Sequence, residues 1–469
     1  MNISEILKVN NKLCVYGLSF RAEACEDADL FFCLSSDDGK NRQSAMTAYE
    51  RGAAALVAEK KIDGIPIPQF IVPDVRSELA LAAHRFFGKP SEKLTMIGVT
   101  GTNGKTTTAY IIKSIMDAAG HKTGLIGTNE ITYGARHFPP RLTTPDPIDL
   151  HRILAEMASK GVDTVVMEVS AHALALRKTD GIVFSVAALT NLTPDHLDFF
   201  GDMDNYKDAK LRLFDQKRSS TAVVNVDDAL GLEIYRAARL PLVTYGCENP
   251  SDVFGINFTS SEDGCAFVAN ILDGIINVKY CGAGRFNMYN VLCAAAVASV
   301  LGVQMPAMSK GIAAVKGVPG RFNIIKSKDK TVVIDYAHTP DGLLNIISAV
   351  REFTPGRVIT VFGCGGDRDR SKRAVMGEIA ADLSDFTVIT SDNPRSEPPM
   401  SIISEIERGT RKPNYEVEQD RERAICKAME LCRGGDTVII AGKGHENTQE
   451  IGGTVLRFSD EEIVKRLLK

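Results

Sequence analysis

Residues 96–109 read MIGVTGTNGKTTTA, and no other stretch of the chain joins so many groups able to hold a phosphate. Gly101 and Gly104 allow backbone N–H groups to close on phosphate oxygens, Lys105 supplies a cation, and Thr106 offers a hydroxyl to magnesium. Thr102, Asn103 and Thr107 complete the loop. The general pattern Gly-x-x-x-x-Gly-Lys-Ser/Thr asks for glycine at 99, where Val99 stands, so the loop is a variant. Two more groups suit the chemistry of a bound ATP. Glu168 ends the apolar run in VDTVVMEVS at 162–170, and His196 follows FSVAALTNL at 184–192. Both fall at the carboxyl ends of predicted strands, where open α/β sheets bind ligands. A carboxylate at 168 is placed to meet a magnesium ion held by Thr106.

These groups need a sheet edge and a helix start to position them. The run from Leu94 to Val99 suits a buried strand. From Thr107 the apolar positions Ala109, Ile111, Ile112, Ile115, Met116 and Ala119 recur at three- and four-residue spacing, which predicts a helix capped by Gly120. Its N-terminus points free N–H groups and partial positive charge at the phosphates. Upstream, strands at 13–16, 30–34, 54–58 and 69–72 are predicted with helices at 44–51 and 77–87, and GKPSEK at 88–93 reads as a linker. Downstream, YKDAKLRLF at 206–214 reads as a helix whose Lys207, Lys210 and Arg212 form a solvated face. Strands at 222–225 and 242–245, hairpins over 253–281, a helix over 286–301 and a glycine-rich turn at 317–321 follow. From Ile324 the chain alternates strands at 331–335, 358–362, 387–390, 415–418 and 437–441 with helices. Polar turns follow four of these strands, at 335–341, 363–373, 391–399 and 442–446, and a doubly wound domain would bring them to one edge.

A chain of 469 residues exceeds one ordinary core, and the pattern divides it into three α/β domains, 1–92, 93–323 and 324–469. The first is a small α/β unit, the second a phosphate-loop domain with a mainly parallel sheet, and the third is Rossmann-like. A net charge of -4 with 24% charged residues leaves no basic footprint for nucleic acid. No stretch reaches the roughly 18 apolar residues of a membrane span, and the N-terminus has no charged start followed by an apolar run. A cytoplasmic monomer without membrane or nucleic-acid partners is expected. The ten cysteines include no C-x-x-C pair, so they read as reduced packing residues rather than metal ligands.

Over nearly its full length the chain resembles the Mur ligases of peptidoglycan synthesis. The motifs that carry the resemblance are GTNGKTT at 101–107, EVSAHAL at 168–174, TNLTPDHLD at 190–198, YKDAKLRLF at 206–214, GRFNMYN at 284–290, GVPGRFN at 317–323 and DYAHTPD at 335–341. Asp392-Asn393-Pro394-Arg395 resembles the motif of members that use meso-diaminopimelate rather than L-lysine. The resemblance implies that ATP phosphorylates the D-glutamate γ-carboxylate of UDP-N-acetylmuramoyl-L-alanyl-D-glutamate, and that the amine of diaminopimelate then attacks the acyl phosphate. It implies Lys105, Glu168, His196 and Lys210 as the catalytic set, with Thr106 and Glu168 holding one Mg2+, His196 a second, and a carbamate on Lys210 binding or supporting that second ion. It places Asn287, Asn290, Arg321, Asp335 and His338 with the phosphate loop at the nucleotide. Ser19, Arg21, Thr143, Thr144, Ser170 and Lys178 fall to the UDP substrate, and Arg368, Asp392, Asn393, Arg395, Gly442 and Glu446 to diaminopimelate. Ser19-Phe20-Arg21 departs from the Asp-Ser-Arg usual near the uridine site, Ala171 stands where a serine is common, and Lys178 where an arginine often binds substrate. The competing readings are a ligase of this kind for L-lysine or another amino acid, a folylpolyglutamate-synthase-like enzyme, and an ATP-binding regulatory protein without ligase activity.

Overall fold

In the computed structural model, which describes residues 1–237, 239–272, 274–327 and 330–468, the chain builds three α/β sheets in succession and one small hairpin. The middle sheet decides where the phosphate loop sits. Among the described residues it has eleven strands. Seven neighbours run parallel, in the spatial order Val253–Ser261, Leu242–Gly246, Ser219–Asn225, Phe184–Leu189, Thr95–Thr100, Thr164–Glu168 and Thr123–Ile126. Helices cover both faces, so the last six strands are near-continuous apolar runs: Ile97, Val99, Val165, Val166, Val186 and Val223 are all inaccessible to solvent. From Thr95–Thr100 the chain builds outward on one side, through 123–126 and 164–168, and then crosses to the other with 184–189. That reversal opens a crevice at the carboxyl ends of Thr95–Thr100 and Phe184–Leu189.

The strand and helix predicted around the phosphate loop lie at Thr95–Thr100 and Lys105–Ala118. The expected hairpins over 253–281 are an antiparallel meander, Val253–Ser261, Gly264–Ile271 and Gly274–Tyr280. Helix Arg285–Val300 is buried on every side from Val291 to Ala298, as its lack of a polar face requires.

In the N-terminal part, Gly17–Ser19, Asp29–Phe32, Ala55–Ala58 and Gln69–Ile71 form a parallel sheet. The strand expected at 13–16 is displaced, because the register with Asp29–Phe32 falls on Gly17–Ser19 and Tyr16 is left 79% exposed. GKPSEK is not a solvated linker either. Pro90–Lys93 is a turn of 3-10 helix with Pro90 and Ser91 buried, packed against helix Pro147–Ser159.

The C-terminal sheet runs Asn323–Lys326, Thr331–Asp335, Thr437–Ala441, Val358–Phe362, Phe386–Ile389 and Tyr415–Val417, all parallel but the first. Parallel strands place all their carboxyl ends on one edge, and the four polar turns gather there. Among the described residues no helix is long and apolar enough to cross a membrane.

Candidate active site

The phosphate loop is held by the strand beside it. Thr102 and Asn103 donate their backbone N–H groups to the carbonyl and side-chain oxygens of Asn191, at 3.0 and 2.9 Å, and Thr190 donates its hydroxyl to the Asn103 carbonyl at 2.6 Å. Glycine is required by contact: a Cβ at Gly101 would lie 1.8 Å from the Thr190 hydroxyl, and one at Gly104 2.4 Å from the Asn290 amide oxygen. Asn290 also accepts from Thr108 and donates to Asn287, which itself donates to the Ala283 carbonyl. These two asparagines therefore brace the helix start. Lys105 curls back on the loop and donates to the carbonyls of Gly101 and Thr102, at 2.9 and 2.8 Å. Burial pushes its pKa down, more than the Glu168 carboxylate pulls it up.

Glu168 is fully buried at the end of its strand. One carboxylate oxygen accepts from the hydroxyls of Thr106 and Thr128, both at 3.0 Å, and the other from the Thr128 N–H at 2.8 Å. Thr144 donates to the Glu168 carbonyl at 2.9 Å and accepts from the Ser170 N–H at 3.0 Å, while Thr143 lies 3.1 Å from the Thr128 hydroxyl. Three of the residues assigned to the UDP substrate thus lie around the backbone of Glu168 and around Thr128. Arg21 and Lys178 share a partner instead, each 2.8 Å from Asp146, and Ser19 is buried with no partner for its hydroxyl among the described residues.

Lys210 overturns its reading as a surface residue. The helix Met203–Leu211 turns it inward, where it is 1% exposed, with its amine 4.5 Å from the Tyr206 ring centroid. Among the described residues the amine has no hydrogen-bond or ion-pair partner. Burial first, and then the charge of Lys105, drive its pKa well below the ordinary value. His196 caps the preceding short helix, Leu197–Phe200, at a φ of 57° and stacks edge-on against His172, with ring centroids 4.7 Å apart. Its ring lies 3.3 Å from Asp195. Asp195 is 4% exposed and lies 3.9 Å from His338 and 3.6 Å from Lys372, both of the C-terminal part. Burial raises its pKa, but the His338, Lys372 and His196 charges outweigh that and hold it low.

A cavity of about 810 Å³ lies between the phosphate loop and the C-terminal sheet, lined among others by Asn103, Thr107, Asn287, Arg321, Asp335 and Asp341. Arg321 crosses it, 3.3 Å from the Thr106 hydroxyl and stacked 4.4 Å from the Tyr336 ring centroid. Both Asp335 oxygens accept backbone N–H groups, from Phe322 and Ala337 at 2.7 Å, so this carboxylate shapes the loop that it begins. The residues assigned to diaminopimelate gather at the other side of that sheet edge. Asn393 donates to Glu446 at 2.9 Å, and Asp392 accepts the Asn393 N–H at 2.6 Å. A Cβ at Gly442 would lie 2.7 Å from Asp392. Arg395, at a φ of 52°, donates to the Gly366 carbonyl at 2.7 Å and lies 3.6 Å from Glu450, while Arg368 stays exposed at the rim.

Residues 99–298 match the model of the Mur ligase middle domain, and residues 320–444 that of the Mur ligase glutamate ligase domain. A relative from Syntrophomonas wolfei, named UDP-N-acetylmuramoyl-L-alanyl-D-glutamate–2,6-diaminopimelate ligase, is 42% identical over 97% of this chain and 95% of its own. The chain belongs to the Mur ligase family. A Bacillus cereus protein of the same name is also 42% identical, over 94% of this Mur ligase and 92% of its own length. A solved structure bearing that enzyme name is 30% identical, with a TM-score of 0.73, and covers 100% of this chain and 98% of that one.

Three groups at the site of this Mur ligase escape a reading by residue type. Asp195 lies in a recognisable motif, yet its partners His338 and Lys372 come from loops that only the fold brings near. Thr128, which holds Glu168 from two sides, sits in a turn with no chemical pattern of its own. Lys443, between two glycines, reads as a solvated loop residue and is fully buried.

Proposed function

We propose that this Mur ligase joins meso-2,6-diaminopimelate to the D-glutamate γ-carboxylate of UDP-N-acetylmuramoyl-L-alanyl-D-glutamate at the cost of ATP, in cytoplasmic peptidoglycan precursor synthesis. Its working parts are the three α/β regions 1–92, 93–323 and 324–469. The observation that carries the reading is the junction at Asp195. There a loop adjoining the phosphate loop meets His338 and Lys372, and Lys372 begins the helix that follows Arg368. Phosphate loop and amine pocket therefore face one centre.

The chemistry that this supports runs in two steps. The γ-carboxylate takes the γ-phosphoryl group of ATP, which converts a poor leaving oxygen into phosphate; the free amine then attacks the acyl carbon and phosphate leaves. Such transfer depends on positioning and on neutralising charge. Lys105 exchanges its loop carbonyls for phosphate oxygens, and Arg321 adds a second cation beside Thr106. Lys210, whose neutral form burial favours, adds through its lone pair to carbon dioxide and loses a proton, giving a carbamate anion. Thr106, Glu168, His196 and that carbamate would hold magnesium, an oxygen-rich set whose remaining positions suit phosphate oxygens and water. Among the described residues no cluster of three or more His, Cys, Asp or Glu could hold a metal. Magnesium supplies charge neutralisation on the phosphates. Arg395 is the discriminator, because lysine lacks the second carboxylate that a guanidinium grips.

The test is phosphate release and product mass with the UDP-dipeptide and ATP, offering meso-diaminopimelate, L-lysine or no amine. A tripeptide mass formed with diaminopimelate alone is expected. Arg395→Ala should keep nucleotide binding and lose the preference between the two amines. Turnover by the unaltered protein with lysine but not with diaminopimelate would overturn the assignment.

A further inference from the structure

Lys443 follows the strand Thr437–Ala441 and is completely shielded from solvent. Its ammonium donates to the Asn393 amide oxygen at 3.0 Å and to the Glu446 carboxylate at 2.9 Å. Asn393 in turn donates through its amide nitrogen to the same Glu446 oxygen, at 2.9 Å, and accepts the Glu450 N–H on its amide oxygen, at 3.1 Å. The three side chains close a ring. Two of its members are assigned to the incoming amino acid, and Lys443 has no assigned role.

The ring has two consequences. A lysine ammonium and a backbone N–H both require an oxygen at the same place, so the Asn393 amide cannot flip and its nitrogen must face Glu446. Further, a buried ammonium is tolerated only when paired, and Glu446, with a side chain 29% exposed, is its ion-pair partner. Among the described residues the second Glu446 oxygen accepts no hydrogen bond and remains for a ligand. The pair is neutral before any ligand arrives. A bare ammonium therefore gains little from Glu446, whereas an α-amino-acid end, itself neutral, can place its ammonium on Glu446 and its carboxylate on Arg395.

We infer that Lys443 is a positioning and specificity-determining residue, which orients Asn393 and neutralises Glu446 so that the pocket takes a zwitterionic amino-acid end in preference to a lone ammonium. The inference rests on the diaminopimelate reading above. Removing Lys443 adds one uncompensated negative charge to the pocket, and the preference must then move toward lysine.

The experiment measures kcat and KM for meso-diaminopimelate and L-lysine, and KM for ATP, in the full-length protein and in Lys443→Met, Lys443→Arg and the double variant Lys443→Met with Glu446→Gln. For Lys443→Met the ratio of kcat/KM values, diaminopimelate over lysine, should fall at least about tenfold while KM for ATP stays within about twofold. Lys443→Arg, which keeps the charge, should retain most of the ratio. The double variant should lose affinity for both amines without moving toward lysine, and it carries the comparison should Lys443→Met fold poorly. An unchanged ratio in folded Lys443→Met, or a ratio that moves toward lysine in the double variant, where no uncompensated charge remains, would overturn the inference and leave the functional reading intact. So would a rise in KM for ATP equal to that for the amine, since that marks a purely structural role. A native protein that makes no product with diaminopimelate fails the functional reading, and the inference falls with it.

Discussion

The Lys210 side chain is almost fully buried, its amine over the Tyr206 ring and with no acceptor among the described residues, and burial favours its neutral form. That is the form able to add carbon dioxide. Incubation with carbon-13 bicarbonate should give a carbamate carbon signal that Lys210→Arg abolishes, because a guanidinium does not form a stable carbamate. The same variant should lose activity by about 10²-fold or more, the scale of removing one preorganised electrostatic group, while still binding nucleotide. Activity above a tenth of the native level, with no signal in either protein, would remove the role. At this scale legibility followed local chemistry. Lys105, Thr106 and Glu168 were readable because loop pattern and strand end define their places. Lys210 was not readable from residue type, since flanking Lys207 and Arg212 mimic a solvated face, and only the family resemblance pointed to it.

Elements were legible where burial wrote an uninterrupted pattern. Thr331–Asp335, Val358–Phe362 and Thr437–Ala441 lie where the apolar runs predict them, because parallel strands covered on both faces leave little choice of residue. The edge strands Ile131–Tyr133 and Arg136–Phe138 and the hairpin Thr448–Ile451 with Thr454–Arg457 escaped, since such short segments are fixed by pairing rather than by composition. The strut under the amine pocket escaped too. Arg421 and Asp460, each opening its own helix, are both fully buried and form a two-pronged pair at 2.9 and 2.8 Å. Arg421 also donates to the carbonyls of Ala441 and Ser391, which precede Gly442 and Asp392. The strut thus holds two pocket loops at one height. Asp460→Ala leaves a guanidinium buried without its partner, and a loss of about 3–5 kcal/mol is expected in urea denaturation. Pairing it with Arg421→Met should cost much less than the sum of the single changes. Additive losses would show that the two residues act independently.

At the scale of the whole molecule, the N-terminal sheet joins the middle one through polar contacts flanking an unusual apolar centre. Arg177 meets Asp74 at 2.7 Å and Ser77 donates to Asp180 at 2.8 Å, while His84 and His151 pack with ring centroids 5.0 Å apart. Sequence could not pair these histidines, because helices Val75–Phe86 and Pro147–Ser159 flank different sheets and only the fold brings them together. His151 is inaccessible to solvent and among the described residues neither ring nitrogen has a partner; burial, and secondarily the charge of His84, push its pKa down to about 3. Burial likewise lowers that of His84, against the pull of Glu92. The unfolded chain takes up a proton on residue 151 near pH 6.5, and the folded protein does not until about 3. Stability from this group is therefore complete above about pH 6.5 and falls by roughly 1.4 kcal/mol per pH unit below it. Lowering the pH from 7 to 5 should then cost the native protein about 2 kcal/mol more than His151→Leu, as read from urea midpoints at the two pH values. A variant whose midpoint falls as far as that of the native protein would place the acid sensitivity elsewhere.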